Sequence, residues 1–273
     1  MYSRPKRSLP YRTQLRRLIY TPVGVPLQLT RVMVSMPSAH SPNQNHLLAA
    51  LASRDRERIY RHLKLVAMPL GEVVHDAGEV LRHAYFPTDS IVSLIYIMAD
   101  GSSAQIAVVG NDGIVGVPLF MGSETTPSRA VVQSAGHAFR IAGQQLEAEF
   151  HRNGQLQHLL LRYTQALITQ MAQTAVCNRH HSLEQQLCRF MLLSLDRLSS
   201  NELTITQELI ANMLGVRREG VTDAAGKLQR LGIIRYARGR ITVLDRSKLE
   251  QICCECYAAV KKETDRLQPI PAP

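Results

Sequence analysis

Apolar positions along the chain change their period several times, and each change marks a different kind of element. Residues 44–64 ("QNHLLAALASRDRERIYRHLK") repeat at helical spacing, with Leu47, Leu48, Leu51, Ile59 and Leu63 on one face. From Leu70 to Ala142 the pattern becomes short β-branched runs, "EVVH", "SIVSLIYIM", "AQIAVV", "RAVVQS" and "HAFRIA", punctuated by glycines. Such spacing predicts a compact all-β sandwich or barrel. Within it, "SIVSLIYIM" and "AQIAVV" predict a hairpin turning at Asp100-Gly101. Helical spacing returns from Gln144 to Leu198. There Leu156, Leu160, Tyr163, Leu167, Gln170 and Thr174 follow a 4-3-4-3-4 rhythm, widened by Ile168 and Met171. A helix packed on its own β-domain and a helix facing a second chain would both show this stripe. Asn178 to Ser182 interrupts the run, and Ser182 with Gln185 reads as a capping box opening a new helix.

The most informative pattern is "TITQELIANMLGVRREGVTDAAGKLQRLGIIRYARGRITVLD", residues 204–245. Thr206 is a good N-cap for "QELIANML", and Gly215 is placed to end that helix in a left-handed conformation. A second helix from about Arg217 to Leu231 buries Val221, Ala224, Ala225 and Leu228, and ends at Gly232. Its opening residues Arg217, Arg218, Glu219, Thr222 and Asp223 project away from that apolar face. "IIRYARGRITVLD" then predicts two short strands around Arg238-Gly239-Arg240, with basic residues at the tip. Two helices at a Gly-containing bend, with polar groups at the start of the second, form a helix-turn-helix. The major groove admits one helix, and its base edges show distinct donor and acceptor patterns. Arg217, Arg218, Glu219, Thr222 and Asp223 are therefore the expected base readers. Thr206, Gln207, Arg238 and Arg240 are the expected phosphate contacts, which fix register without reading sequence.

Charge sharpens this picture. The formal net charge is +10, yet residues 1–35 hold seven Lys/Arg and no acid precedes Asp55. Without that stretch 25 basic and 22 acidic residues remain, so most of the excess lies in an arm expected to be a disordered extension, or to precede a true start at Met36. Residues 212–244, by contrast, carry seven Lys/Arg against Glu219 and Asp223. A basic surface attracts phosphate backbones. The five cysteines are odd in number and none precedes Cys177, so a disulfide framework is not expected and a reducing cytoplasm is. No apolar run reaches membrane-spanning length, so no membrane partner is expected. Nor is there a nucleophile elbow or a paired-carboxylate motif, and an enzyme is not expected.

The order of a Gly-punctuated β-domain, a long helix and a winged helix-turn-helix resembles the cyclic-AMP receptor protein/fumarate-nitrate regulator (Crp/Fnr) family of bacterial transcription factors, over about residues 45–250. The most specific match is "TQELIANMLGVRREGVTDAAGKLQRLGII". The family's recognition motif R-E-x-x-x-R appears as Arg218-Glu219-Gly220-Val221-Thr222-Asp223, with Asp223 where the second arginine usually stands. The resemblance implies an α+β fold: an N-terminal cyclic-nucleotide-binding-like β-roll, a long dimerisation helix and a C-terminal winged helix-turn-helix. It places a basic extension at 1–43, the β-roll at 44–150, the dimerisation helix and hinge at 151–181, the DNA-binding domain at 182–250, and a C-terminal helix with a Pro-rich tail at 251–273. Leu156, Leu160, Tyr163, Leu167 and Thr174 are assigned to dimerisation. Double-stranded DNA and a second copy of the chain are the implied partners, with RNA polymerase a further candidate. The rival reading is a small-ligand receptor that acts through protein partners.

In the family a cassette resembling F-G-E-x-x-x-F…R-[ST]-A holds cyclic nucleotide. Here Gly116, Arg129 and Ala130 stand in its place as the candidate ligand residues, with Val117 where the ribose-binding glutamate belongs. An apolar side chain leaves the ribose hydroxyl unpaired, at a cost of about 1–3 kcal/mol, so cyclic AMP is not expected and another small anion on Arg129 is the open alternative. The absence of cysteine before residue 177 excludes the family's N-terminal iron–sulfur cluster in its familiar form. Two other groups have metal-ligand chemistry: Cys177, His180 and His181 at i, i+3 and i+4, and Cys253, Cys254 and Cys256. The first group reads otherwise as a hinge with partly exposed histidines, the second lacks a partnered pair at zinc-site spacing, and no metal site is assigned.

Overall fold

The computed structural model describes residues 40–267, so all but the last residues of the basic arm, and the Pro-rich end, lie outside the described residues. The first helical stretch is two helices, α1 (His46–Ala49) and α2 (Ser53–Tyr60), where one was expected across 44–64. The break has a local cause. Gln155 donates to the Ala50 carbonyl and accepts from the Ala52 amide, while Arg56 donates to the carbonyls of Ala49 and Leu51. Backbone groups that a continuous helix would pair internally are satisfied by side chains instead. Leu47, Leu48, Leu51 and Ile59 are nonetheless all buried, as their spacing predicts.

Seven strands then form the β-roll: β1 (Lys64–Met68), β2 (Val73–His75), β3 (His83–Pro87), β4 (Ile91–Ile97), β5 (Ser103–Val109), β6 (Arg129–Ser134) and β7 (Gly136–Ala142). A three-stranded sheet runs β1-β7-β3 and a four-stranded sheet β2-β6-β4-β5, all antiparallel. The β4–β5 hairpin turns where expected, with Gly101 at φ +84° and Asp100 Oδ1 accepting from the Ser102 amide at 2.9 Å. Short α3 (Pro118–Met121) and α4 (Gly143–Phe150) close the roll. Phe86, Ile141, Val92, Val109 and Val132 fill its core. Successive strand residues point to opposite faces. Ile91 and Val108 therefore leave the β4–β5 pair on its other side and join a second core.

That second core belongs to the C-terminal half. The long helix α5 (Gln155–His180) leads through His181 into α6 (Leu183–Leu195), whose capping box forms as predicted: Ser182 Oγ accepts from the Gln185 amide and Gln185 Oε1 from the Ser182 amide. β8 (Glu202–Thr204), α7 (Gln207–Leu214), α8 (Arg218–Arg230), β9 (Ile234–Ala237) and β10 (Arg240–Val243) follow, with the three strands in the order β8-β10-β9. α9 (Arg246–Ile252) and α10 (Glu255–Leu267) end the described chain. α10 runs back along α5: Cys254, just before it, lies 3.6 Å from Cys177 (Sγ to Sγ), and the Arg266 carbonyl near its far end accepts from Arg162. Buried polar contacts tie the halves together. Arg197 meets Asp112 at 2.6 Å, Gln133 donates to Ser194 at 2.8 Å, and Gln170 accepts from the Val108 amide. No described helix is long and apolar enough to cross a membrane.

Candidate nucleic-acid interface

Helix α7 begins where its sequence says it should. Thr206 Oγ accepts from the Leu209 amide at 3.2 Å, filling one of the unpaired donors of the first turn. Its end is set by Gly215, left-handed at φ +67°. A side chain there would be strained by that backbone and would also meet the Ser103 carbonyl of β5 at 3.4 Å. The turn redirects the chain into α8, which buries Val221, Ala224, Ala225 and Leu228 against α6 and α7. Gly220 allows the approach, because a Cβ there would lie 2.8 Å from the Leu183 side chain.

The opposite face of α8 presents the expected base readers. Arg217, Arg218, Glu219, Thr222 and Asp223 are all exposed. Among the described residues, Arg217, Arg218, Glu219 and Asp223 form no side-chain ion pair, so their guanidinium and carboxylate groups are free to meet a ligand. Thr222 differs, since its hydroxyl donates to Gln207 Oε1 at 2.9 Å and cross-links the two helices. That bond uses the Gln207 carbonyl oxygen and leaves its side-chain amide hydrogens available.

Beyond α8, β9 and β10 join through a two-residue turn, Arg238 (φ +52°) and Gly239 (φ +74°), flanked by the pair Ala237–Arg240. Two left-handed residues in succession make the hairpin turn that matches strand twist, and they push Arg238 outward. Tyr236 anchors this wing: its hydroxyl donates to the Ile205 carbonyl at 2.8 Å, and burial pushes its pKa up to about 12. A groove of about 430 Å³ lies between wing and helices, lined by Thr206, Gln207, Glu208, Arg218, Tyr236 and Arg238. Three of the four expected phosphate contacts thus share one concavity with Arg218. Arg240 stands apart, 3.5 Å from Glu202 in an exposed pair.

Two other sets of expected site residues are placed as follows. Leu156, Leu160, Tyr163 and Leu167, assigned to dimerisation, are buried in the β-roll core of their own chain. Thr174 is buried as well, accepting from Arg189 at 3.0 Å. Gly113 shows how close the contact is: a Cβ there would lie 2.4 Å from the Tyr163 ring. The apolar surface left open on α5 is a different stripe, with Leu161 at 45%, Ile168 at 54% and Val176 at 49% exposure, and Gln165, Ala172 and Ala175 between them. Its 4-3-4 spacing was readable in the sequence but was overshadowed by the larger residues of the inner face.

The candidate ligand residues are the second set. The Arg129 guanidinium grips Asp76 with two bonds, at 2.9 and 2.6 Å, and this contact holds the Asp76 carboxyl below its usual range. Ala130 is fully buried within β6, and Gly116 (φ +110°) backs onto Ala84. Val117 packs against the roll's core. With its cation engaged and its acceptor replaced by an apolar side chain, this set does not fit a cyclic nucleotide. A separate cavity of about 530 Å³, lined by Arg82, His83, Leu119, Glu124, Gln144 and Glu147 among others, excludes all three residues.

The cysteine and histidine groups, separate in sequence, meet in the fold. Cys177, His181, Cys254 and Cys256 place their ligating atoms within 4.8 Å of one another, whereas His180 and Cys253 are not part of the set.

Two family models match the chain. A Crp-like helix-turn-helix domain covers residues 185–252, and a cyclic nucleotide-binding domain covers residues 65–153. No curated protein matches. Among solved structures, a transcriptional regulator of the Crp/Fnr family from Eubacterium rectale superposes with a TM-score of 0.60 at 18% identity, covering 77% of this chain and 98% of its own. FixK2 from Bradyrhizobium japonicum gives 0.59 at 15% identity, covering 70% and 98%. The c-di-GMP-responsive regulator CLP of Xanthomonas campestris gives 0.57 at 16% identity, covering 70% and 99%. At such identities the likeness is one of fold.

Proposed function

The chain belongs to the Crp/Fnr family of transcription regulators, its two domain matches together spanning more than half its length, and from that premise we propose a cytoplasmic homodimer that binds a two-fold symmetric operator. One observation carries the reading: Arg218 and Glu219 stand exposed and, among the described residues, unpaired at the start of α8, beside a groove that gathers Thr206, Gln207 and Arg238. The arginine suits a guanine edge through two bonds, and the carboxylate suits the amino group of a cytosine. Thr206, Gln207 and Arg238 hold phosphates on either side and set the register. Asp223, one turn further on, adds an acceptor where a second cation would favour another guanine.

The second copy docks through the open stripe of α5, centred on Leu161, Ile168 and Val176. Paired helices there give the dimer one axis, which maps onto the operator and sets half-sites about 34 Å apart. The β-roll is the input side. Its mismatch with cyclic nucleotide supports a different ligand or a protein partner as the signal, acting by a shift in the populations of DNA-competent arrangements. RNA polymerase is a further partner when the bound regulator activates.

Selection of bound duplexes from a random pool tests this directly. Enrichment of a two-fold symmetric sequence with half-sites one helical turn apart is expected. Retention of all duplexes alike would leave only phosphate attraction and would favour a receptor acting through protein partners.

A further inference from the structure

Cys177 lies in the last turn of α5, His181 directly follows α5, Cys254 sits between α9 and α10, and Cys256 is in the first turn of α10. The Cys177 and Cys254 sulfurs are 3.6 Å apart, and the Cys256 sulfur is 3.5 Å from His181 Nδ1. All three thiols are buried.

The spacing discriminates between chemistries. Zinc–sulfur bonds of about 2.3 Å and zinc–nitrogen bonds of about 2.0–2.1 Å in a tetrahedron separate ligand atoms by roughly 3.5–3.8 Å. The observed 3.5 and 3.6 Å match those edges, within a set whose members all fall inside 4.8 Å. A disulfide needs its sulfurs about 2.05 Å apart and uses two of them, leaving the third thiol and the imidazole unexplained. A multi-iron cluster distributes its thiolates over several metal atoms and needs a wider cradle.

Two further features point the same way. His181 Nε2 faces Glu255 Oε1 at 3.3 Å, which fixes the ring and directs Nδ1 into the cluster. A carboxylate behind the imidazole is the usual outer partner of a metal-bound histidine. The second feature is a buried cation. Arg189 is 5% exposed; it donates to Thr174, one turn before Cys177, its Nε has no partner, and no carboxylate among the described residues pairs with it. An uncompensated buried guanidinium is costly. One divalent ion with three thiolates and a neutral imidazole carries a charge of −1, which supplies the missing counter-charge beside it.

We propose that Cys177, His181, Cys254 and Cys256 bind one zinc(II) ion in a closed Cys3His site that fastens α10 to the α5–α6 joint. With four protein ligands and buried sulfurs the site has no open position, so its role is structural. It sits where the helix leaving the β-roll hands over to the DNA-binding half, and three thiol protons leave as the metal enters.

Elemental analysis of the reduced, full-length protein provides the test. About one zinc per chain is expected in the wild type and in Cys253→Ser, falling to under about 0.1 in Cys254→Ser and Cys256→Ser. Should those variants fail to fold, cobalt(II) added to chelator-stripped wild type serves instead, with thiolate-to-cobalt charge-transfer bands and the d–d bands of a tetrahedral site expected. A metal-free protein lacking that cobalt spectrum, a Cys177–Cys254 disulfide in the mass spectrum, iron or copper in place of zinc, or equal zinc loss in Cys253→Ser would each overturn the assignment.

Discussion

Replacing Arg197 with methionine probes the contact that joins the β-roll to the DNA-binding half. The guanidinium meets Asp112 through two bonds, Nη2 to Oδ2 at 2.6 Å and Nε to Oδ1 at 3.0 Å, and Nη1 donates to the Leu193 carbonyl. Both side chains are withdrawn from water, at 5% and 14% exposure. The arginine stem lies against Gly110, where a Cβ would come within 2.8 Å of it, and methionine keeps most of that packing. What Arg197→Met removes is therefore the charge, stranding a carboxylate whose remaining bond is from the Gly110 amide at 3.1 Å. Breaking a buried pair from one side costs about 3–5 kcal/mol, and retained packing argues for the lower end, about 3 kcal/mol. In a chain of this size that lowers the melting temperature by roughly 6–12 °C. Asp112→Asn strands the guanidinium in turn, whereas the double variant leaves no unpaired charge. Urea unfolding of all four proteins should therefore show the double variant well short of the summed single losses, by at least about 1 kcal/mol. Additivity within about 0.5 kcal/mol would mean the two groups do not act as a pair, and the reasoning would be refuted.

Other consequences follow from single contacts. Gly113→Ala forces a methyl into the Tyr163 ring and should cost about 1–3 kcal/mol, read as a lowered urea midpoint. Burial lowers the pKa of His75, with Glu79 and Asp76 opposing the shift; the unfolded chain then takes up the proton first as pH falls. Stability should be full above pH about 6.5 and decline below it. His75→Leu should flatten that slope, and parallel slopes would contradict the burial argument. Ile168→Glu should yield a folded monomer by light scattering and circular dichroism, while Leu160→Glu, on the inner face, should unfold the β-roll.

These substitutions also mark where sequence and structure part. The strands, the Asp100-Gly101 hairpin, the Ser182 capping box and the Thr206–Gly215 helix were legible because each depends on neighbours within a few residues. The α5 stripe was legible as a helix but not as to its partner. Period alone says which residues share a face, and the bulkier stripe of Leu156, Leu160 and Tyr163 went to the β-roll. Arg129 matched a ligand motif, yet Asp76 holds it from another strand end. The cysteine and histidine cluster was legible only as two separate groups, since Cys177 and Cys254 lie 77 residues apart and meet only because α10 folds back along α5.

The most direct measurement is a binding titration of the wild type and an Arg218→Ala/Glu219→Ala variant on one selected operator and on a scrambled duplex, at two salt concentrations. Base-edge contacts are worth about 1–3 kcal/mol each. Losing two such contacts from each of two half-sites should weaken operator binding by about 4–12 kcal/mol, roughly 1,000-fold or more, while the salt-sensitive binding to the scrambled duplex stays close to wild type. Equal operator affinity for both proteins would show that the opening turn of α8 does not read bases.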